Sequence, residues 1–184
     1  MKLILLVLLF ICSNASSQEV FRDIESAVGR EEEVIELDLK GKRYAKLPEE
    51  IKAYKNLKVL KIRRAGITDL PDWLDKLPLQ KVILTRNKLN HIPNVIYRLK
   101  GLRILDLGHN NIALIEPEIR GLQELEELNL WANLIYEFPP ELSEIASLKS
   151  INLRSIDLNR HEQAELKEML PDIDLIMSPP CNCN

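Results

Sequence analysis

The side chains best suited to catalysis or metal binding are few and scattered. The 184 residues include three histidines and six glycines. His91, His109 and His161 do not have metal-ligand spacing with one another or with a cysteine, and the glycines form no phosphate-binding loop. Catalysis requires a nucleophile with a base, a metal cluster or a pair of acids at workable spacing. We therefore expect no enzyme activity, no metal site and no cofactor.

Two cysteines lie close together near the end of the chain, as Cys181-x-Cys183 in the segment SPPCNCN. Three interpretations stay open: a tail without a role, a disulfide inside one chain or between two chains, and a metal or redox function. A zinc site usually takes four ligands, and the sequence has no second pair of cysteines. We expect a monomer, with a disulfide dimer through Cys181 and Cys183 as the alternative.

The first residues have the pattern of a secretory signal peptide. A charged start is followed by nine apolar residues that end at Ile11, and then by a run of small residues. Nine residues are too few to span a membrane, which takes about 20. We predict a signal peptide over 1–17, cut after Ser17 or alternatively after Ala15, and export to the periplasm, cell surface or medium. Lipid-attached cysteines resemble a pattern with Gly, Ala or Ser before them, so we expect no lipid anchor at Cys12.

Most of the chain is a repeat of 22 or 23 residues. Its clearest copy is Leu102–Leu122, LRILDLGHNNIALIEPEIRGL, and six units begin at Val34, Leu57, Leu79, Leu102, Leu125 and Leu148. A fixed period in this range indicates a solenoid, in which each unit buries its apolar face against its neighbours. The pattern L-x-x-L-x-L-x-x-N-x-L-x-x-L-P resembles the leucine-rich repeat family. It is most similar to the short, proline-containing type found in bacterial and Ras-suppressor-like proteins.

This resemblance implies an α/β fold, a right-handed solenoid in a horseshoe arc with a parallel sheet on the concave face and a helical cap at each end. The sequence supports this fold. Side chains along a strand point to alternate faces, so Leu105 and Leu107 both point inward and predict a short strand. The Leu-Pro pairs on the far side predict extended or briefly helical chain. The expected divisions are an N-terminal helical cap over 18–33, six repeats over 34–158, a helix-strand cap over 159–176 and a flexible tail over 177–184.

The two ends depart from the repeat. Helical spacing of apolar residues over 19–29 predicts a helix that covers the first coil. At the other end, Asn159 and Glu162 predict a capping box that starts a helix. That helix ends before Pro171 and is followed by a last strand around 173–176.

An asparagine follows the strand in the three central units, as Asn87, Asn110 and Asn133. A buried amide can bond to backbone groups of its own coil and of the adjacent coil. We therefore interpret these asparagines as structural. Ala65 stands at the same place in the second unit, and its small size is the only explanation we offer.

The outward positions of the strands are the candidate binding surface. A basic cluster of Lys61, Arg63 and Lys81 follows an acidic pair in the first coil, and Trp131 is one of three apolar residues expected to face solvent. Aromatic and arginine residues are enriched among binding hot spots, although exposed apolar residues are common on any protein. The candidate partner-binding residues are Lys61, Arg63, Lys81, Ile83, Ile104, Asp106, His109, Glu127, Asn129, Trp131 and Arg154.

The charge of the chain bears on the class of partner. The formal net charge is −3, and the basic residues do not form a run, so we expect no nucleic-acid binding. The resemblance implies a non-catalytic module that binds a protein or peptide of unknown identity on its concave strand face. The alternative is a structural or adhesion protein attached to the cell envelope or surface.

Overall fold

The computed structural model describes residues 19–44 and 46–181. The predicted signal peptide, its two cleavage sites, Cys12 and Cys183 lie outside the described residues. Within those two ranges, no helix has both the length and the apolar character that a membrane span requires.

The described chain forms one open sheet of eight parallel strands, which follow one another in chain order. The strands are β1 (Val20–Phe21), β2 (Glu36–Lys40), β3 (Val59–Arg63), β4 (Lys81–Ile83), β5 (Ile104–Asp106), β6 (Glu127–Asn129), β7 (Ser150–Leu153) and β8 (Asp174–Met177). One α-helix, α1 (Arg160–Met169), lies between β7 and β8. The predicted solenoid with a parallel sheet is confirmed.

The core is built from the inward side chains of successive strands. Leu105 pairs with Val82 on one side and with Leu128 on the other, so equivalent apolar residues stack along the solenoid. Leu105 and Leu107 have no exposed surface. Burial of each such side chain stabilises the fold by about 1.5–3 kcal/mol, which explains why the leucine positions recur so regularly.

Short 3-10 helices form the side opposite the sheet. In three coils a proline lies immediately before the helix, as Pro48, Pro71 and Pro139. Proline fixes φ and has no N–H to donate, and 3-10 helices are favoured only in short pieces. The 3-10 helices are Glu25–Ala27, Glu31–Glu33, Glu49–Ala53, Asp72–Lys76, Ile96–Arg98, Pro117–Gly121 and Pro140–Glu144.

The asparagine ladder is confirmed. The Oδ1 atom of Asn110 accepts from the N–H of Leu89 at 3.2 Å, and its Nδ2 donates to the carbonyls of Leu84 at 3.0 Å and Leu107 at 2.8 Å. Asn87 and Asn133 make the equivalent bonds to the preceding coil and to their own coil. Each amide therefore satisfies backbone groups of two coils where the chain leaves the strand.

The continuous helix predicted over 19–29 is wrong. Val20–Phe21 instead pairs with β2 as an edge strand, and two 3-10 helices follow it. Phe21 is buried while Val20 is exposed, which is the alternation of a strand rather than a helix. The unpaired edge of β2 favours this arrangement, because pairing satisfies backbone groups that a helix would have left open.

The C-terminal cap is confirmed in its main features. Asn159 and Glu162 form the predicted capping box at the start of α1, and β8 extends the sheet. The tail predicted to be flexible from residue 177 is wrong over its first part. Met177 belongs to β8, Ser178 accepts from Gln163 Nε2 at 3.1 Å, and the N–H of Cys181 donates to Leu158 O at 3.1 Å. These bonds hold the segment against α1 and the last coil.

Candidate functional site

The outward side chains of β2 to β7 form one continuous surface, which we call the sheet face. Strand register aligns them in rows across the coils, so that Ile83, Asp106 and Asn129 are neighbours in one row. Lys81, Ile104 and Glu127 are neighbours in another row. The predicted binding residues on these strands are therefore brought together, with His109 and Arg154 just beyond the ends of β5 and β7.

Trp131 and Gly108 lie on the sheet face just beyond the C-terminal ends of β6 and β5. The indole ring lies directly over Gly108, where an added Cβ atom would overlap Nε1, Cδ1 and Cε2 of the ring. Gly108 is buried and Trp131 is half-buried. The ring of His109 packs edge-on against the indole, with centroids 5.5 Å apart and planes at 89°. The missing side chain at residue 108 therefore gives Trp131 a fixed place on the sheet.

The backbone around Trp131 is held by one hydrogen bond between adjacent coils and by two within the coils. The N–H of His109 donates to Trp131 O at 2.7 Å. The N–H of Trp131 donates to Asn129 Oδ1 at 3.3 Å. In the preceding coil, the N–H of Gly108 donates to Asp106 Oδ1 at 2.9 Å. The aromatic pair is thus attached to rigid elements on both sides.

Asp106 is an acidic group in direct contact with Gly108, from whose N–H it accepts a hydrogen bond. Its partial burial raises the pKa of its carboxyl, while the hydrogen bonds from Gly108 and Asn129 and the positive charge of Lys81 lower it. Burial is the largest of these effects. The carboxyl therefore holds its proton more tightly than an exposed aspartate does.

The predicted basic cluster is largely neutralised by the first coil. Lys61 Nζ lies 2.5 Å from Glu36 Oε1, and Arg63 forms an ion pair with Asp38. Both carboxylates project from β2, one coil before the cations. Lys81 makes no ion pair within the described residues. Of the three cations in this cluster, it is the one most available to another molecule.

Two groups of surface residues were not predicted from the sequence. Leu134 and Tyr136 are exposed by 64% and 68%, in the loop that follows Trp131 and Asn133. Four cations also gather beside the ends of β2 to β4, in the positions that follow each strand. Alignment of the repeats places Arg64 and Arg86 in equivalent positions, so the spacing of arginines was a usable signal for this cluster.

The described residues hold no group of three or more His, Cys, Asp or Glu side chains that could bind a metal ion. Cys181 is disulfide-bonded. The other two cysteines of the chain lie outside the described residues.

Comparison with known proteins identifies the repeat. A family model described as leucine rich repeat matches residues 78–135, which include β4 to β6 and the asparagine ladder. The chain is a leucine-rich repeat protein. The match covers the regular central coils, where each unit keeps both its inward leucines and its asparagine.

Curated relatives share the repeats over part of their length. Podocan-like protein 1 of Mus musculus is 34% identical over 127 residues, which are 66% of this chain and 21% of that protein. Leucine-rich repeat-containing G-protein coupled receptor 5 of Rattus norvegicus is 31% identical over 99 residues, 53% of this chain and 10% of the receptor. An adenylate cyclase of Schizosaccharomyces pombe is 30% identical over 131 residues, 68% of this chain and 8% of the enzyme. The chain thus spans a small part of each relative.

Solved structures share the same architecture. A leucine-rich repeat protein of Leptospira interrogans superposes with a TM-score of 0.70 at 31% identity, over 87% of this chain and 40% of that one. Listeria monocytogenes InlP superposes with a TM-score of 0.58 at 23% identity, over 76% of this chain and 38% of that one. The second likeness concerns the fold alone.

Proposed function

We propose that the chain is a non-catalytic module that binds a protein or peptide on its sheet face. Repeat solenoids use their extended concave surfaces for binding. The observation that carries the proposal is the placement of Trp131 over Gly108, with His109 against its edge. A partly exposed tryptophan held in one place on a rigid surface has the properties of a binding anchor.

Contacts within the chain hold the Trp131 indole in place in the absence of a partner. Because the indole ring rests on Gly108 and packs against His109, it loses little conformational freedom when a ligand covers it. Ile104 adds half-buried apolar surface in the adjacent strand. Lys81 and Asp106 belong to the same sheet face and supply polar contacts that fix the orientation of a ligand. Charge complementarity of this kind contributes more to specificity than to affinity.

We also propose that the protein is exported. The signal-peptide pattern at the N-terminus supports export, and so does the disulfide at Cys181, because disulfides persist in oxidising compartments. Intact-mass analysis of the protein recovered from culture medium and from the cell envelope tests the proposal. A mature N-terminus at residue 16 or 18 agrees with export, and an uncleaved cytoplasmic form contradicts it. Release in soluble form favours the binding module, whereas tight membrane association favours the envelope-attached alternative.

Partner capture with a site-specific cross-linker tests the use of the sheet face. A photo-reactive residue replaces Glu127, which is exposed on the sheet face, or Glu118, which is exposed on the 3-10 side. We expect a partner to be cross-linked from position 127 and not from position 118. Efficient cross-linking from position 118 alone would place binding on the opposite side and exclude the sheet face.

A matched pair of tryptophan variants tests whether Trp131 contributes to partner binding. The chain has two tryptophans, and Trp73 is half-buried in the 3-10 helix Asp72–Lys76. Trp131→Ala is expected to reduce capture of the partner, while Trp73→Ala leaves capture unchanged. Equal capture by both variants would remove Trp131 from the binding surface.

A further inference from the structure

Four cationic side chains surround a hollow beside the ends of the first repeat strands. The hollow has a volume of about 490 Å³, and it is lined by Arg43, Tyr44, Arg64, Gly66, Arg86 and Lys88 together with Ala65 and Asn87. We call it the basic hollow. No carboxylate is part of its lining among the residues that the structure describes.

The repeat register explains the shape of the basic hollow. Lys40 pairs with Arg63 across β2 and β3, and Val59 pairs with Lys81 across β3 and β4. These two offsets make Arg43, Gly66 and Lys88 equivalent in three successive coils. Adjacent strands lie about 4.8 Å apart, so the backbones that carry Arg43 and Lys88 are separated by about 10 Å. Gly66 lies between them, and a Cβ atom added there meets nothing within 4 Å. The gap between the two cations is therefore open.

Small residues form the floor of the basic hollow. Ala65 takes the place that asparagine has in the three central coils, and it contributes only a methyl group. The amide of Asn87 satisfies the backbone instead, since Asn87 Oδ1 accepts from Ala65 N at 3.0 Å and from Ile67 N at 3.3 Å. The alanine and glycine of this coil thus keep the space between the cations clear without leaving these N–H groups unpaired.

The cations of the basic hollow have no anionic partner. Arg43, Arg64, Arg86 and Lys88 are exposed, and none of them makes an ion pair within the described ranges, 19–44 and 46–181. Three arginines in other coils do contact carboxylates, as Arg30 with Glu19, Arg98 with Asp75 and Arg103 with Glu126. Gathering four like charges raises the free energy of the folded state, and a bound anion would remove that cost.

We propose that the basic hollow binds the phosphate group of a small organic phosphate monoester. Such a group carries a charge of about −1.5 to −2 and three strong acceptor oxygens at pH 7. Three guanidinium groups suit it, because the arginine fork can donate two parallel hydrogen bonds to phosphate. A carboxylate or a sulfate ester brings one negative charge and neutralises less of the cluster. The volume of the hollow lies within the range of about 300–1,000 Å³ that is usual for small-molecule sites, so it has room for the organic group.

Calorimetric titration of the mature full chain with glucose 6-phosphate tests the proposal, with inorganic phosphate and glucose 6-sulfate as comparison ligands. We expect saturable binding in which glucose 6-phosphate has the highest affinity. Arg64→Ala should weaken it by about tenfold or more, the usual effect of losing a charge-assisted hydrogen bond. Arg120→Ala, which removes an exposed and unpaired cation on the 3-10 side, should leave the affinity unchanged.

A second variant tests whether binding requires the open space of the basic hollow in addition to its positive charge. Gly66→Asn places a side chain in the gap and keeps every cation. Gly66 has φ of +75°, a conformation that asparagine adopts more readily than most residues. We expect about a tenfold loss of affinity, as for the arginine variant. Circular dichroism and thermal unfolding establish that each variant is folded, and Arg64→Ala at an exposed position keeps the test available if Gly66→Asn does not fold.

The pH dependence provides an independent readout. The second pKa of a phosphate monoester is about 6, so its negative charge falls as the pH is lowered from 7.5 to 5, whereas a sulfate ester keeps its single negative charge. Affinity for glucose 6-phosphate should therefore fall between pH 7.5 and 5, while that for glucose 6-sulfate stays constant. The proposal is overturned if the wild type does not bind glucose 6-phosphate saturably, if the sulfate binds as tightly at pH 7.5, or if Gly66→Asn or Arg64→Ala binds like the wild type. None of these outcomes bears on the sheet face.

Discussion

Gly108→Ala should destabilise the protein by displacing Trp131. The added methyl group would overlap three atoms of the indole ring, so the ring has to leave its place on the sheet. Gly108 does not have a positive φ, and alanine is therefore compatible with the backbone there. The whole cost of the substitution comes from the lost packing between Trp131 and its neighbours.

The size of the effect follows from the burial of the indole. An aromatic side chain buries about 150–250 Å² when it is fully covered, and Trp131 is half-buried. Half of that area at about 25 cal/mol per Å² corresponds to about 2–3 kcal/mol. Replacing glycine by alanine where the backbone conformation suits alanine returns about 0.5–1 kcal/mol. We therefore expect a net loss of about 1–2 kcal/mol in the free energy of unfolding.

A double-mutant cycle measured by urea unfolding isolates this contact. Gly108→Ala should cost about 1–2 kcal/mol in the wild type. In the Trp131→Ala background it should be neutral or stabilising, because no ring remains to be displaced. Gly108→Ala in the wild type should also change the chemical shifts of the His109 ring protons, since the imidazole no longer lies against the indole. The reasoning is refuted if Gly108→Ala has no cost in the wild type, or has the same cost in both backgrounds.

Three further predictions concern the asparagine ladder, the partly buried carboxyl of Asp106 and the helix cap at Asn159. Asn110→Ala should lower the free energy of unfolding by about 2–4 kcal/mol, because three hydrogen bonds disappear and the N–H of Leu89 loses its partner. Asp106→Asn should stabilise the protein at pH 7. Since burial raises the pKa of Asp106, the folded state favours the protonated form, and wild-type stability falls as the pH rises through that pKa. Asn159→Ala should cost about 1 kcal/mol by removing the helix cap of α1, measured as a lower unfolding midpoint.

Each of these three predictions has its own contrary result. Asn111→Ala, a substitution at the exposed neighbour of Asn110, is the matched control, and an equal loss from both variants would contradict the role of the ladder. For Asp106→Asn, the stability advantage over the wild type should shrink as the pH is lowered through the raised pKa. A constant difference, or destabilisation at pH 7, would show that burial does not dominate at this site. A cap variant with an unchanged midpoint would show that α1 does not depend on its capping box.

The repeats were predictable because their signal is periodic. Inward leucines and the ladder asparagines recur every 22 or 23 residues, and each has the same physical task in every coil. The edge strand Val20–Phe21 was not predictable in this way. Its two residues are too few to show alternation clearly, and pairing with β2 decided its conformation. Local spacing favoured a helix there, and the tertiary contact overrode it.

The details of the sheet face depend on contacts between coils, which single positions do not show. The role of Gly108 appears only when Trp131 of the next coil lies over it. In the same way, the sequence predicts that Lys61 is a cation on the sheet face, but not that Glu36 of the preceding coil forms an ion pair with it. Such contacts become predictable when the repeats are aligned in register and side-chain sizes are compared down each column.

The affinity of the isolated partner for two tryptophan variants tests the central claim most directly. Trp131 lies on the sheet face and Trp73 on the opposite side, and both are half-buried. A hot-spot anchor contributes about 2 kcal/mol or more, so Trp131→Ala should raise the dissociation constant by about 30-fold. Trp73→Ala should leave it unchanged. Equal dissociation constants for the wild type and the folded Trp131→Ala variant would contradict binding on the sheet face through this anchor.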